Sequence, residues 1–458
     1  MSRKSAAIAR PAFWSIVILL WLLAAFGCQA LPAPTPVYLI GIDTLRADAL
    51  GCYGGVHPTP VLDDFAKQAV VFDNCIAPAS WTVPSMVSII TGLYPFHHGC
   101  VKALQENGRV LSQQKLSDGY NTLAELFKRI NYRTYGVSGN GHLDEKYGFA
   151  QGFDEYVCHP FVDKEGVTSS WQGIVPRLAA EYRFGQGVFG FLFYFDPHHP
   201  YVPQEPYISQ YLPDYKKNLD KVFGKDMLEL IREGVFADPE LVKLARALYE
   251  SEVAALDAHL GEVLKNLPGY EDAIVIITAD HGEEFYEHGE MIHGNNLMQT
   301  QIHVPLMIKL PKGKNAGLRV KDPVSTIDIF ATLADVLHAP PMSKTDGVSL
   351  LPLLEGQPAT PRDLFSQIDL PWARQSAMVR WPHKYIQRID GRRHIFDLAA
   401  DPREENDAFE ELKGGESAEA FKTLLESVGY QVRFPPRSIT EDLSDEMHEK
   451  LKNLGYLN

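Results

Sequence analysis

Three short apolar runs, each ending on an aspartate, constrain this chain more than any other feature. Val37–Ile42 runs into Asp43, Val188–Phe195 into Asp196, and Ala273–Ala279 into Asp280. Short runs this rich in Val, Ile and Phe read as strands buried on both faces, the form parallel strands take. Arg133–Val137 and Val304–Leu310 read as further strands. Leu62–Ala69, Thr122–Ile130 and Leu248–Leu267 carry apolar residues at helical spacing. Strands alternating with helices imply an α/β fold, a mostly parallel central sheet sandwiched by helices. Ligands of such sheets bind beyond the carboxyl ends of the strands. Asp43, Asp196 and Asp280 are therefore expected at one edge, with His198 and His281 close by. One aspartate after a strand is an ordinary turn residue. Several gathered carboxylates repel one another and call for a divalent cation.

Ala79–Pro95 supplies a different signal. Pro84 suits the first turn of a helix, Met86–Ile90 is its apolar body, and Gly92 its stop. Thr82 is expected just ahead of that helix. Backbone N–H groups and the helix dipole there favour an oxyanion. A hydroxyl aimed at a bound oxyanion is a candidate nucleophile.

The 458 residues suffice for one large domain and a smaller one. A net charge of −15 argues against a nucleic-acid binder. Residues 1–28 read as an export signal: a basic start, an apolar core from Phe13 to Phe26, then Gly27-Cys28. Ala25-Phe-Gly-Cys28 resembles a bacterial lipoprotein box, with Cys28 as the lipidated residue and a membrane anchor. A plain secretion signal or an uncleaved anchor stays open. Either way the expectation is export to the cell envelope or periplasm. Residues 29–36 read as a proline-rich tether. Cys28, Cys52, Cys75, Cys100 and Cys158 show no metal-type spacing. From about Gly317 the texture changes, with a helix at Thr326–Leu337 and short strands at Ser376–Arg380 and His383–Arg388. The expected units are 37–316 and a smaller α+β unit, 317–458, ending in an amphipathic helix over Thr440–Lys452. Phe161–Arg183 and Gln204–Glu240 carry no legible pattern and are the expected specificity loops.

The ordered motifs resemble the sulfatase family of the alkaline-phosphatase superfamily over Val37–Asn458. They are Gly41-Ile-Asp-Thr-Leu-Arg-Ala-Asp48, Pro84-Ser85 with Thr91-Gly-Leu-Tyr-Pro95, Tyr194-Phe-Asp-Pro-His-His-Pro-Tyr201, Thr278-Ala-Asp-His-Gly-Glu283, His293-Gly294 and Phe396-Asp-Leu-Ala-Ala-Asp-Pro402. The resemblance implies a metal-dependent, exported hydrolase of sulfate or phosphate esters. Asp43, Asp280, His281 and Thr82 would hold the metal, calcium first, with zinc, magnesium or manganese open. Thr82 would be the metal-bound nucleophile. His198 and His293 would contact the substrate oxyanion or protonate the leaving oxygen, and Asn107 would line the pocket. His97, His199, His288 and His303 receive no role. The substrate would be a sulfated or phosphorylated small molecule, glycan or lipid.

Two positions depart from the family. Thr82 stands where Cys or Ser becomes formylglycine, with Met86 at the arginine position, so no formylglycine is expected. Thr44 stands where many members carry a second aspartate. These departures open two alternatives: a phospho-group transferase or phosphodiesterase, and a non-catalytic anion-binding relative.

Overall fold

The computed structural model describes residues 34–423 apart from 102, 107, 108, 226, 341, 343, 371, 416, 417, 420 and 422. The export signal with Cys28, most of the tether, Asn107 and the expected helix at 440–452 lie outside the described residues. Nine strands make the main sheet. In chain order they are β1 (Val37–Ile42), β2 (Val70–Ile76), β3 (Tyr132–Ser138), β4 (Glu155–Cys158), β5 (Gly187–Tyr194), β6 (Ile274–Ala279), β7 (His303–Lys309), β8 (Arg319–Val320) and β9 (Val324–Ser325). Across the sheet they run β8, β2, β7, β6, β1, β5, β3, β4, with β9 also paired to β2. Only β7 is antiparallel to its neighbours, β2 and β6. The expected mostly parallel sheet is what forms.

The three aspartate-ending runs are the three central strands, and every residue of β1, β5 and β6 is buried. Alternate side chains serve opposite faces. Tyr38 meets Trp171 of helix α4 (Lys164–Arg183) edge to face at 6.2 Å. On the other face Phe189 stacks on Phe127 of helix α3 (Leu123–Arg129) at 4.1 Å. Helix α2 (Thr82–Thr91) is buried throughout. Helices α1 (Pro60–Gln68) and α5 (Pro239–Lys265) are joined where the Val61 and Leu62 N–H groups donate to Asp257.

Several boundaries differ from the sequence reading. The helix expected from Leu248 starts at Pro239, because the Asp238 side chain accepts from the Glu240 N–H and Pro239 suits the first turn. Most of the unpatterned stretch 161–183 is helix α4, capped by Asp163 accepting from the Gly166 N–H. Its internal Pro176 and polar residues blur the helical pattern. The texture change at Gly317 falls within the main sheet, since β8 and β9 both pair with β2.

The antiparallel C-terminal sheet is β10 (Leu364–Leu370), β11 (Ala373–Arg380), β12 (His383–Arg388) and β13 (Arg393–Asp397). It braces the loops around the sheet edge. The Ser366 hydroxyl donates to Ala77 O (2.6 Å), the Trp372 indole to Gly294 O (3.0 Å), and the Gln375 amide to Asn295 O (3.1 Å). Among the described residues no helix is long and apolar enough to cross a membrane.

Candidate functional site

Strand register builds the site. Ile42 lies opposite both Tyr194 and Ala279. The next residues, Asp43 and Asp280, therefore emerge side by side. The third strand is out of step by one: Phe195 takes the equivalent position and Asp196 follows it. Asp196 is correspondingly not part of the cluster. It faces Lys164, 3.5 Å away, and burial raises its carboxyl above the usual range. The expectation of three gathered aspartates is corrected to two.

Asp43, Asp280 and His281 form one buried group whose ligand-type atoms lie within 4.8 Å of one another. His281 Nε2 stands 3.3 Å from Asp280 Oδ2 and 3.6 Å from Asp43 Oδ1. Both of those carboxylate oxygens are buried without a hydrogen bond from the described residues. The His281 ring is oriented by Nδ1, 2.9 Å from Gly282 O. In the neutral ring Nδ1 then carries the proton and Nε2 presents its lone pair to the carboxylates. Close approach requires glycine at 282, where a Cβ would collide with Thr300 O. Burial, then the charge of Asp280, raises the Asp43 carboxyl, while burial lowers His281 to about 4. Two crowded anionic groups and an inward lone pair fit a divalent cation.

Thr82 completes this side. It is the first residue of α2 rather than the residue ahead of it, and Trp81 is the extended N-cap. Its Oγ1 lies 3.3 Å from His281 Nε2. The Ser85 hydroxyl donates to Asp280 O at 2.5 Å and ties α2 to the end of β6. Gly92 closes the helix at φ 69°, as the sequence suggested. Met86, which the resemblance puts at the arginine position, is buried in the hydrophobic core.

A second group, His198, His199 and His293, is also buried, with ligand-type atoms within 4.8 Å. His293 lies 4.4 Å from His281 between ring centroids, so the two groups adjoin. His198 Nδ1 is 2.5 Å from His199 O, and His293 Nδ1 is 2.9 Å from Glu283 Oε1. Burial lowers His199 and His293 to about 3 and raises the Glu283 carboxyl to about 8.

Sequence reasoning missed four participants. Asn140 donates to Asp43 Oδ2 at 2.6 Å; its strand ends at Ser138, two residues earlier, so a rule that takes the residue directly after a strand passes over it. Glu283 and His199 stood inside quoted motifs without a role. Thr44, the family's second aspartate position, has φ 54°, unusual for a β-branched residue and found where function holds a backbone in place. Its N–H reaches Asp280 Oδ1 (3.3 Å) and its carbonyl accepts from Tyr249 (3.0 Å). The other unassigned histidines sit elsewhere: His97 on Asp346, His288 on Arg403 O, and His303 on Asp73 O.

Known proteins resemble this chain in sequence and in fold. The Sulfatase family profile matches residues 35–339. A rat steryl-sulfatase is 26% identical over 421 residues, covering 72% of each chain. A sulfatase of Formosa agariphila is 26% identical, covering 80% of this chain and 81% of its own. The phosphonate monoester hydrolase of Agrobacterium radiobacter superposes with a TM-score of 0.67 at 21% identity, over 87% of this chain and 96% of that one. A protein solved with its substrate D-glucosamine-2-N,6-O-disulfate superposes with a TM-score of 0.69 at 19% identity, over 88% and 98%. Family enzymes use a divalent metal ion, and the first buried group suits one. With the profile spanning most of the chain and the fold shared, this protein belongs to the sulfatase family of hydrolases.

Proposed function

We propose that this chain hydrolyses sulfate or phosphate esters with Thr82 Oγ1 as the nucleophile. The observation that carries the reading is the approach of that hydroxyl to His281 Nε2, at 3.3 Å, beside Asp43 and Asp280. Asp43, Asp280, His281 and Thr82 would hold the cation. The carboxylates and hydroxyl are oxygen donors of the kind calcium takes, and the imidazole admits zinc, magnesium or manganese. When bound, the ion lowers the pKa of a hydroxyl and neutralises charge on the transferring group.

In this reading Asn140 fixes Asp43, and Gly282 O fixes the His281 ring. Thr82 attacks the sulfur or phosphorus, the ester bond to the leaving alcohol breaks, and water then cleaves the ester on Thr82. His198 and His293 form the wall that receives the oxyanion of the transferred group. Exclusion of water from this buried edge strengthens each of those interactions.

Thr82 itself favours a second reading. A formylglycine hydrate releases sulfate by elimination, a route closed to a threonine ester, so transfer of a phospho-group to an alcohol acceptor suits this residue. A sulfated or phosphorylated glycan, lipid or small molecule as substrate, export, and lipid anchoring at Cys28 belong to the same proposal. The test is a metal-supplemented screen of aryl sulfates, phosphate diesters and phosphonate monoesters, with wild type and Thr82→Ala in parallel. Turnover in the wild type should fall by a factor of at least about 10³ in Thr82→Ala and vanish on chelation. Equal turnover in Thr82→Ala would remove Thr82 from the chemistry. Product formed only with an added alcohol would select the transferase.

A further inference from the structure

Granted the anchoring at residues 1–28 proposed above, we infer that the edge of the main sheet remote from the site, centred on Phe184, lies against a lipid bilayer and turns the site towards water.

Strand β1 is entered through Thr35 and Pro36. Thr35 O accepts from the Tyr132 hydroxyl at 3.0 Å, and Pro36 O accepts from the Ile274 N–H at 2.9 Å. Tyr132 and Ile274 are the first residues of β3 and β6. The chain therefore enters at the edge where the parallel strands begin. Asp43, Asp280 and His281 stand at the opposite edge, just beyond the last residues of β1 and β6.

The tether is too short to turn the site to the membrane. A proline-rich stretch extends about 3.1 Å per residue, so 29–36 reaches about 25 Å. β1 is central in the sheet, paired with β5 on one side and β6 on the other. A tether doubling back from its start must clear a covering helix, about 10 Å across, and then run the length of the strand, about 20 Å. That path is longer than the tether. The entry edge is thus the one held against the anchor.

The surface at the entry edge suits a bilayer. Phe184 is 86% exposed, in the turn that joins α4 to β5. Two residues earlier, Tyr182 borders the entry: a Cβ on Gly269 would meet Tyr182 Cζ at 2.6 Å and Pro36 Cγ at 3.0 Å. Aromatic rings are the side chains that settle at a membrane–water interface. In the turns and helix ends of the same edge Arg129, Arg183, Lys265 and Lys312 are exposed, against the acids Glu271 and Asp272. This cationic surplus stands on a chain whose net charge is −15. Anionic headgroups attract such a surface. The partner is a bilayer containing anionic lipid. With this edge seated, the site draws its ester from solution and faces away from the lipids of the anchoring membrane.

The test uses the full chain in vesicles of phosphatidylcholine and phosphatidylglycerol. Flotation reports whether the chain is membrane-bound. The emission that Phe184→Trp adds over wild type is then compared between plain vesicles and vesicles with brominated acyl chains, which quench indoles that reach them. Tyr286→Trp is the reference at the site edge, since Tyr286 is 46% exposed on the loop after β6. Brominated lipid is expected to quench the emission added by Phe184→Trp by about half or more, as for a ring seated at the headgroup–acyl boundary, and to leave that added by Tyr286→Trp unchanged. A chain that does not float overturns the anchoring and this surface together. A chain that floats with the emission added by Phe184→Trp unquenched leaves the anchor standing and removes this surface alone, as does equal quenching of the two variants.

Discussion

At the residue scale, the site depends on which groups hold the charged side chains in place. Asp43 is the clearest case. Oδ2 accepts from Asn140 at 2.6 Å, leaving Oδ1 to face His281. Removing that amide frees the carboxylate to rotate away from the shared position. Asn140→Ala should weaken metal binding by about 10–100-fold while leaving the fold intact. Titration against a chelator of known affinity measures this, and an unchanged affinity would show that Asn140 does not position Asp43. Thr44 makes a related point. Its positive φ turns the chain between Asp43 and Arg46, and no sequence pattern announces such a residue, because tertiary bonds to Asp280 and Tyr249 hold it there.

At the element scale, strands were legible and some partners were not. Asp43 and Asp280 were readable because a buried parallel strand is an unbroken apolar run and its end is abrupt. Their adjacency followed from register, which only the paired strands determine. The same register excludes Asp196 by a single residue, beyond the reach of a reading that places it at a strand end. Helix α4 was hidden by Pro176 and a mixed surface, and His199 by its position beside a histidine that matched a motif. Helix α2 yields a pH prediction. His98 is buried against it, with Nε2 3.0 Å from Ser88 Oγ and Nδ1 accepting from the Cys100 N–H. Burial lowers its pKa from 6.5 to about 3. Between those values the unfolded chain binds a proton that the folded chain refuses. His98 therefore contributes full stability above about 6.5, and loses it as pH falls towards 3 at up to ~1.4 kcal/mol per pH unit. Urea unfolding across that window should show a shallower pH slope in His98→Asn; an unchanged slope would assign the acid sensitivity elsewhere.

At the scale of the molecule, the C-terminal sheet and the main sheet act as one support for the site. Lys384 on β12 pairs with Glu404 at 2.7 Å, both fully or nearly fully buried. Glu404 also accepts from the Gln299 N–H at 2.6 Å, in the segment between the His293 loop and β7. The pair thus bridges the two sheets. Lys384→Met removes one charge and leaves the other buried, which should cost about 3–5 kcal/mol. Chemical denaturation measures it, and a loss below about 1 kcal/mol would mean the carboxylate finds water. The four described cysteines are free thiols, so no disulfide among them reinforces this junction.

The central claim is that Thr82 forms the bond to the transferred group. Its most direct test is acid-quenched turnover of a metal-loaded sample, followed by peptide mass spectrometry. The account predicts that the peptide spanning Thr82 carries the mass of the sulfuryl or phosphoryl group, fragmenting to that residue, and that Thr82→Ala carries none. A substrate turned over by wild type with the adduct on another residue, or with full activity in Thr82→Ala, would contradict it.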